Sequence, residues 1–357
     1  MKIAVGLSGG VDSTLVALML KNQGCDVVGI SMSFYNSDLP ENEKQLTKAC
    51  YGRYEKQDIK DIHTWCLGQG IEHHTFDISE EFKKTVLAYF KQTYLSGATP
   101  NPCVFCNTYV KFGLLLEKAK QAGVIFDKFA TGHYARVEKD ANGRYLLKKG
   151  IEGKKDQSYF LYRLTQEQLA NIWMPLGTKT KEEIREYAKS KGLVVAEKPD
   201  SQDFYEGDYN ELLQVPEKIG NIVDTNGKVL GTHKGFWNYT IGQRKGLGVS
   251  STEPLYVVEL RKDTNEVVVG SNDKTMKNIL YANELNFIGI EKLNEEIVCE
   301  AKIRSSQIPQ KVKVTPINED RIKVEFENMQ KSIAIGQSIV LYDDDIILGG
   351  GIIDSIE

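Results

Sequence analysis

The tightest constraint on this chain is Val5-Gly6-Leu7-Ser8-Gly9-Gly10-Val11-Asp12-Ser13, which joins an apolar run, Lys2 to Leu7, to a segment with helical apolar spacing at Leu15, Ala17, Leu18 and Leu20. Adjacent glycines remove Cβ atoms and let successive backbone N–H groups approach an anion. The helix that follows directs its open N–H groups and positive dipole end at the same place. Ser8 and Ser13 add hydroxyl donors, while Asp12 would meet a phosphate through a shared cation, which points to Mg²⁺. The plainer alternative is a strand-to-helix turn in which Ser8 or Asp12 caps the helix. The stretch has neither the GxxxxGK[ST] lysine nor GxGxxG spacing, so a Walker-type loop and a dinucleotide fold are both disfavoured.

The 357 residues suggest two or three domains. Over the first 130 or so, strand and helix patterns alternate: helix at Asp12–Asn22, strand at Asp26–Met32, helix at Gln57–Gly70, strand at His73–Ile78, helix at Glu80–Tyr94, helix at Thr108–Gly123 and strand at Lys128–Tyr134. That rhythm predicts an α/β domain with a parallel sheet and ligands at the carboxyl ends of its strands. After about residue 205 the chain turns to short β-branched runs between turn residues, including Trp237–Ile241, Lys311–Val314, Arg321–Phe326, Ser338–Tyr342 and Ile346–Ile353. These predict a small barrel or sandwich. The expected division is therefore 1–205, a β-rich link over 206–275, and a β-barrel over 276–357.

No apolar run reaches the roughly 18 residues of a membrane span, and the first residues read as a strand rather than a leader, so the expectation is a cytoplasmic protein without membrane. A net charge of -4 sets aside bulk electrostatic coating of nucleic acid but leaves room for a local basic patch. Six cysteines in a chain this long do not make a disulfide scaffold, and Cys103 and Cys106 form the one CxxC pair.

The phosphate loop resembles that of the PP-loop ATP pyrophosphatases. Further strings resemble the tRNA-specific 2-thiouridylases: Ala130-Thr131-Gly132-His133-Tyr134-Ala135-Arg136, Lys155-Asp156-Gln157-Ser158-Tyr159-Phe160-Leu161, Lys198-Pro199-Asp200-Ser201-Gln202-Asp203, Tyr239-Thr240-Ile241-Gly242-Gln243-Arg244-Lys245-Gly246-Leu247-Gly248, Gly336-Gln337 and Leu348-Gly349-Gly350-Gly351. The resemblance implies an adenine nucleotide alpha hydrolase-like fold, ATP and Mg²⁺ as cofactors, and tRNA as partner. It implies adenylation of the C2 oxygen of a wobble uridine, then displacement of AMP by sulfur. Gly6, Leu7, Ser8, Gly9, Gly10, Val11, Asp12 and Ser13 would bind the phosphates, with Met32 and Gly132 beside the adenosine. His133, Lys155, Asp156, Gln157 and Gln337 would contact tRNA. Lys148, Lys149, Lys154 and Lys155 read equally as a solvated hairpin face or as phosphate-backbone contacts.

By the same resemblance, Cys106 in the Cys-Asn pair is the sulfur-handling residue, placed near the start of a helix expected at Thr108, where the dipole would favour a thiolate. The family's second cysteine falls at Tyr205, which cannot carry sulfane sulfur. Three readings stand side by side. Cys103 replaces the lost partner through a persulfide or disulfide with Cys106. Alternatively, Cys103, Cys106 and Cys50 ligate a [4Fe-4S] cluster that carries sulfide. In the third, Cys106 works alone with a donor protein or inorganic sulfide. Rival functions are amide formation on a small metabolite, thiolation of another RNA (Ile303-Arg304-Ser305-Ser306 is atypical for a tRNA-facing segment), and a non-thiolating RNA-binding paralogue.

Overall fold

The computed structural model describes residues 1–35, 51, 55–191, 204–205 and 209–357. Cys50 and the 198–203 string lie outside the described residues. The chain divides into two compact units, the first made of Met1–Val86, Cys103–Gly207 and Asp345–Ile347, the second of Leu87–Pro102, Asp208–Asp344 and Leu348–Glu357.

In the first unit, β1 (Lys2–Gly6), β2 (Asp26–Ser33), β3 (Glu72–Asp77), β4 (Lys128–Ala130) and β7 (Ile172–Trp173) form a parallel sheet in the order β3-β2-β1-β4-β7. Ile3, Ala4 and Val5 of the central strand are wholly buried, as expected for a strand covered on both faces. Helix α1 (Val11–Asn22) packs Leu15, Val16, Ala17 and Leu20 into the same core as Ile62 and Cys66 of α2 (Glu55–Gln69). The chain leaves β1 toward β2 and β3, then returns to β4 on the other side. This reversal opens a crevice at the carboxyl ends of β1 and β4. A helical run over 102–121, called α3, precedes β4. Hairpin β5 (Ala135–Lys139) and β6 (Tyr145–Lys149) follows, then α4 (Gln166–Asn171) and α5 (Lys181–Ser190). Both of these helices begin with a capping box, Thr165 with Gln168 and Thr180 with Glu183.

The expected parallel α/β sheet is present. Two local expectations shift. The strand expected to reach Tyr134 ends at Ala130, because the chain turns at Thr131-Gly132 to meet α1. The helix expected from Thr108 starts at Pro102, whose fixed φ suits a first helical turn.

The second unit holds a four-stranded sheet, β8 (Gly220–Asp224), β9 (Val229–His233), β10 (Tyr256–Arg261) and β11 (Glu266–Gly270), in the order β10-β11-β8-β9. It also holds a closed barrel of β12 (Met276–Phe287), β13 (Ile297–Lys302), β14 (Gln310–Asn318), β15 (Arg321–Lys331), β16 (Ser338–Asp343) and β17 (Ile346–Ile356). The barrel order is β12-β15-β14-β13-β16-β17, with β17 pairing back to β12. Ile322, Val324 and Phe326 alternate inward along β15. The segment Trp237–Ile241, expected to be extended, instead opens with a 3₁₀ turn at Phe236–Asn238, pinned by the Trp237 indole donating to Asn210 at 3.1 Å.

Candidate active site

Gly9 sits at φ +76°, in the left-handed region that favours glycine, and turns the chain so that Gly10 becomes the residue before α1. Gly10 makes no side-chain cap, so neither Ser8 nor Asp12 plays the capping role that the plainer reading required. The first N–H groups of α1 keep no side-chain partner at the N-cap, the arrangement that suits an incoming anion. The hydroxyls instead brace the loop: Ser13 Oγ accepts from the Ser8 N–H at 3.3 Å and donates to the Gly10 carbonyl at 3.0 Å.

The loop after β4 closes over this helix start. A Cβ at Gly132 would stand 3.0 Å from the Asp12 carbonyl carbon and the Ser13 nitrogen, so a side chain there would press the backbone at the start of α1. Two residues on, Tyr134 Oη donates to Asp12 Oδ1 at 3.0 Å. Between them, His133 Nδ1 lies 2.8 Å from Thr131 Oγ1, and its ring is 5.6 Å from that of Phe112 on α3. Burial, and then the Lys111 ammonium, hold the His133 pKa well below its ordinary 6.5, so the imidazole is neutral. Lys111 itself donates to Asn107 Oδ1 at 2.9 Å, and Asn107 Nδ2 donates to the Phe160 carbonyl at 3.2 Å.

The segment 155–157 folds onto the same loop. The Tyr134 N–H donates to Gln157 Oε1 and the Gln157 N–H donates to the Tyr134 carbonyl, each at 3.0 Å. Lys155 Nζ lies 5.8 Å from the Tyr134 ring centroid. Both Asp156 oxygens take part in the local turn, accepting from the N–H groups of Gly150 and Ser158 and from the Ser158 hydroxyl. Lys148 pairs with Glu138 at 2.9 Å and with Asp345 at 3.5 Å. Its ammonium is thus directed to Glu138 of its own hairpin and to Asp345, which lies between β16 and β17 in sequence.

Cys103 and Cys106 lie three residues apart on α3 and are both half-buried. With the helix starting at Pro102, Cys103 occupies the first turn and Cys106 follows it, opening a π-helical stretch, Cys106–Leu114. The position expected for Cys106 at the helix start is therefore corrected: the dipole acts first on Cys103. Burial pushes the Cys66 thiol up to about 11 and the Cys299 thiol up to about 12, which leaves both protonated and unreactive. Among the described residues no group of three His, Cys, Asp or Glu side chains gathers to hold a metal ion. Cys50, the expected third cluster ligand, lies outside the described residues, although its neighbour Tyr51 is buried against Phe34, Phe82 and Phe204. Tyr205 is 4% exposed, with its ring 6.4 Å from that of Tyr51.

Met32 stands near the carboxyl end of β2, beside Phe76 of β3. The exit of that strand is pinned by Glu55, whose carboxylate accepts from the Ser33 hydroxyl at 2.8 Å and the N–H of Phe34 at 2.9 Å. Burial raises the Glu55 pKa, and these donors lower it only in part. Gln337 belongs to the second unit, where its side-chain amide donates to the Pro100 carbonyl at 2.8 Å. Sequence reasoning missed Tyr134, Lys111, Asn107 and Glu55 as site-building residues. The i, i+4 spacing of Asn107 and Lys111 was the one local signal available. The other two, Tyr134 and Glu55, act through partners more than 20 residues away in sequence.

The chain matches three family models: the tRNA methyl transferase HUP domain over residues 1–205, the tRNA methyl transferase PRC-barrel domain over 212–271 and the aminomethyltransferase beta-barrel domain over 277–353. It is 47% identical over 356 residues to the tRNA-specific 2-thiouridylase MnmA of Endomicrobium trichonymphae, covering 99% of both chains. It is 42% identical over 361 residues to the enzyme of the same name from Clostridioides difficile (strain 630), covering 99% of this chain and 98% of the other. Among solved structures, NMN synthetase from Francisella tularensis superposes at TM-score 0.34 and 18% identity over 59% of this chain and 71% of that one, a likeness that carries no argument. With a parallel-sheet domain, a small central domain and a closed barrel in this order, and relatives matched end to end, the chain belongs to the tRNA-specific 2-thiouridylase family.

Proposed function

We propose that this protein performs ATP-dependent 2-thiolation of a tRNA wobble uridine, with the domain division 1–205, 206–275 and 276–357 and the last part serving RNA contact. The observation that supports this most is the loop 131–134. Gly132 packs on the start of α1 at the phosphate loop, while His133 packs on Phe112 of the helix that carries Cys106. Nucleotide chemistry and sulfur chemistry thereby share one connecting segment.

In the first half-reaction the uridine C2 oxygen attacks the α-phosphorus of ATP. An O–P bond forms and pyrophosphate leaves, stabilised by the N–H groups of Gly9, Gly10 and the start of α1. Asp12 would be the carboxylate that holds Mg²⁺, which would neutralise phosphate charge when bound. His133, being neutral, offers a hydrogen bond without adding a charge beside Lys111.

In the second half-reaction sulfane sulfur from a donor protein, carried on Cys106, attacks C2, and AMP leaves with the former C2 oxygen. Cys103 then attacks Cys106 Sγ, breaking the S–S bond, so that 2-thiouridine departs and a Cys103–Cys106 disulfide remains. An external dithiol supplies the two electrons that restore the pair. The i, i+3 spacing on one helix face favours this reading of the CxxC.

Mass spectrometry of tRNA nucleosides from a strain lacking the protein tests the proposal. Loss of 2-thiouridine, restored by the gene, is the expected result. Unchanged 2-thiouridine with loss of a different modified base would overturn the substrate named here.

A further inference from the structure

We propose that Tyr134 is a positioning residue, through which RNA held at residues 155–157 sets the Asp12 carboxylate for adenylation. The inference rests on the function proposed above and adds a role for a residue outside the phosphate loop.

Tyr134 is 4% exposed and is engaged on three sides. Its hydroxyl donates to Asp12 Oδ1 at 3.0 Å. Its peptide group is clamped by Gln157 through two hydrogen bonds, each of 3.0 Å. Its ring lies 5.8 Å from the Lys155 ammonium. The turn before this segment adds a further restraint, because a Cβ at Gly150 would come within 2.8 Å of the Tyr134 carbonyl oxygen.

A hydroxyl bonded to a carboxylate fixes its rotamer and takes up one of its lone pairs. Loss of this bond would release the Asp12 carboxylate to turn toward its other neighbours. RNA that orders 155–157 orders the Gln157 clamp, and with it the peptide that sets the reach of the Tyr134 hydroxyl. An RNA phosphate near Lys155 adds to this by fixing the ammonium that lies over the ring. Binding energy at 155–157 is thus expressed at Asp12 as a preference for the held arrangement. The fold brings these groups together because β4 ends at Ala130, and the four residues after it run past α1 before β5 begins. The RNA also supplies the attacking oxygen, so adenylation requires it, and the held arrangement of Asp12 adds to the rate once the RNA is bound.

The test is pyrophosphate release from ATP with and without an unmodified tRNA transcript, comparing wild type with Tyr134→Phe. Binding of the transcript is measured in parallel on filters. Tyr134→Phe keeps the ring and the Gln157 clamp but removes the hydroxyl. The ratio of RNA-stimulated to unstimulated release should fall about tenfold, within the usual range for coupled sites. The dissociation constant for the transcript should move by less than about twofold, since the phenylalanine keeps the ring and the clamp. A ratio equal to wild type overturns the role of Tyr134, as does a loss of RNA binding that accounts for the whole change. A wild-type ratio of one overturns the function proposed above instead. Gln157→Ala, which opens the clamp from the other end, should lower the same ratio. The double variant should then lose no more than Tyr134→Phe alone, and additive losses would break the coupling.

Discussion

Helix α1 begins after two glycines without a side-chain cap, whereas α3 begins at Pro102 and carries Cys103 and Cys106 along its first turns. The first start leaves N–H groups turned toward whatever occupies the crevice beyond β1 and β4. The second removes one N–H at proline and presents thiols instead. A helix start can thus be built to hold charge or to present a nucleophile, and the residues before the first turn decide which. The anion-holding function is local, because glycine conformation and helix geometry supply it. The thiol function is not, since what the sulfur meets depends on loops distant in sequence.

The largest effect that would sharpen this contrast is expected from Cys106→Ser, which should lower thiolation by about 10⁴-fold or more while ATP binding persists. An active variant would move the chemistry away from α3. Cys103→Ser should stop before 2-thiouridine is released, seen as tRNA captured on Cys106 through a disulfide with no free product. Continued turnover would return the pair to Cys106 acting alone. At the other helix start, Gly9→Ala forces a side chain into φ +76°. A strain of about 1–2 kcal/mol should weaken ATP binding about tenfold by calorimetry while leaving thiol titration of α3 unaffected. Equal damage at both places would show that the two starts are not independent.

The smallest effect concerns pH and stability. His73 is held down to about 4, mainly by burial and then by His63 and His74, against an ordinary 6.5. Between those values the unfolded chain binds the extra proton and the folded chain does not, so stability falls as pH drops from about 6.5 toward 4 and is flat in this respect above 6.5. His133 acts in the same direction. Melting temperatures of His73→Gln across that window should decline less steeply than those of wild type, and parallel slopes would reject the assignment.

The phosphate loop was legible because Gly9 and Gly10 announce their backbone geometry in their chemistry. The barrel strand Arg321–Lys331 was legible in part through its alternation, but Met276–Phe287 was not, because Lys277, Asn278, Glu284 and Asn286 interrupt its apolar pattern. The start of α3 was misplaced by six residues, since Asn-Pro-Cys reads as a turn until Pro102 is seen to open the helix. Tyr134 lay inside a recognised string, yet nothing local in it reveals a bond to Asp12 across 122 residues. The absence of a usable cysteine at Tyr205 was visible in sequence. That the tyrosine is buried near an aromatic cluster came only with the fold.

The most direct test of the account follows oxygen. A tRNA carrying ¹⁸O at C2 of the wobble uridine is thiolated with unlabelled ATP, and the released AMP is weighed by mass spectrometry. The account predicts one ¹⁸O in the AMP phosphate for each 2-thiouridine formed. Unlabelled AMP accompanying full thiolation would contradict an adenylated C2 oxygen, and with it the role given to the loop from Ser8 to Ser13.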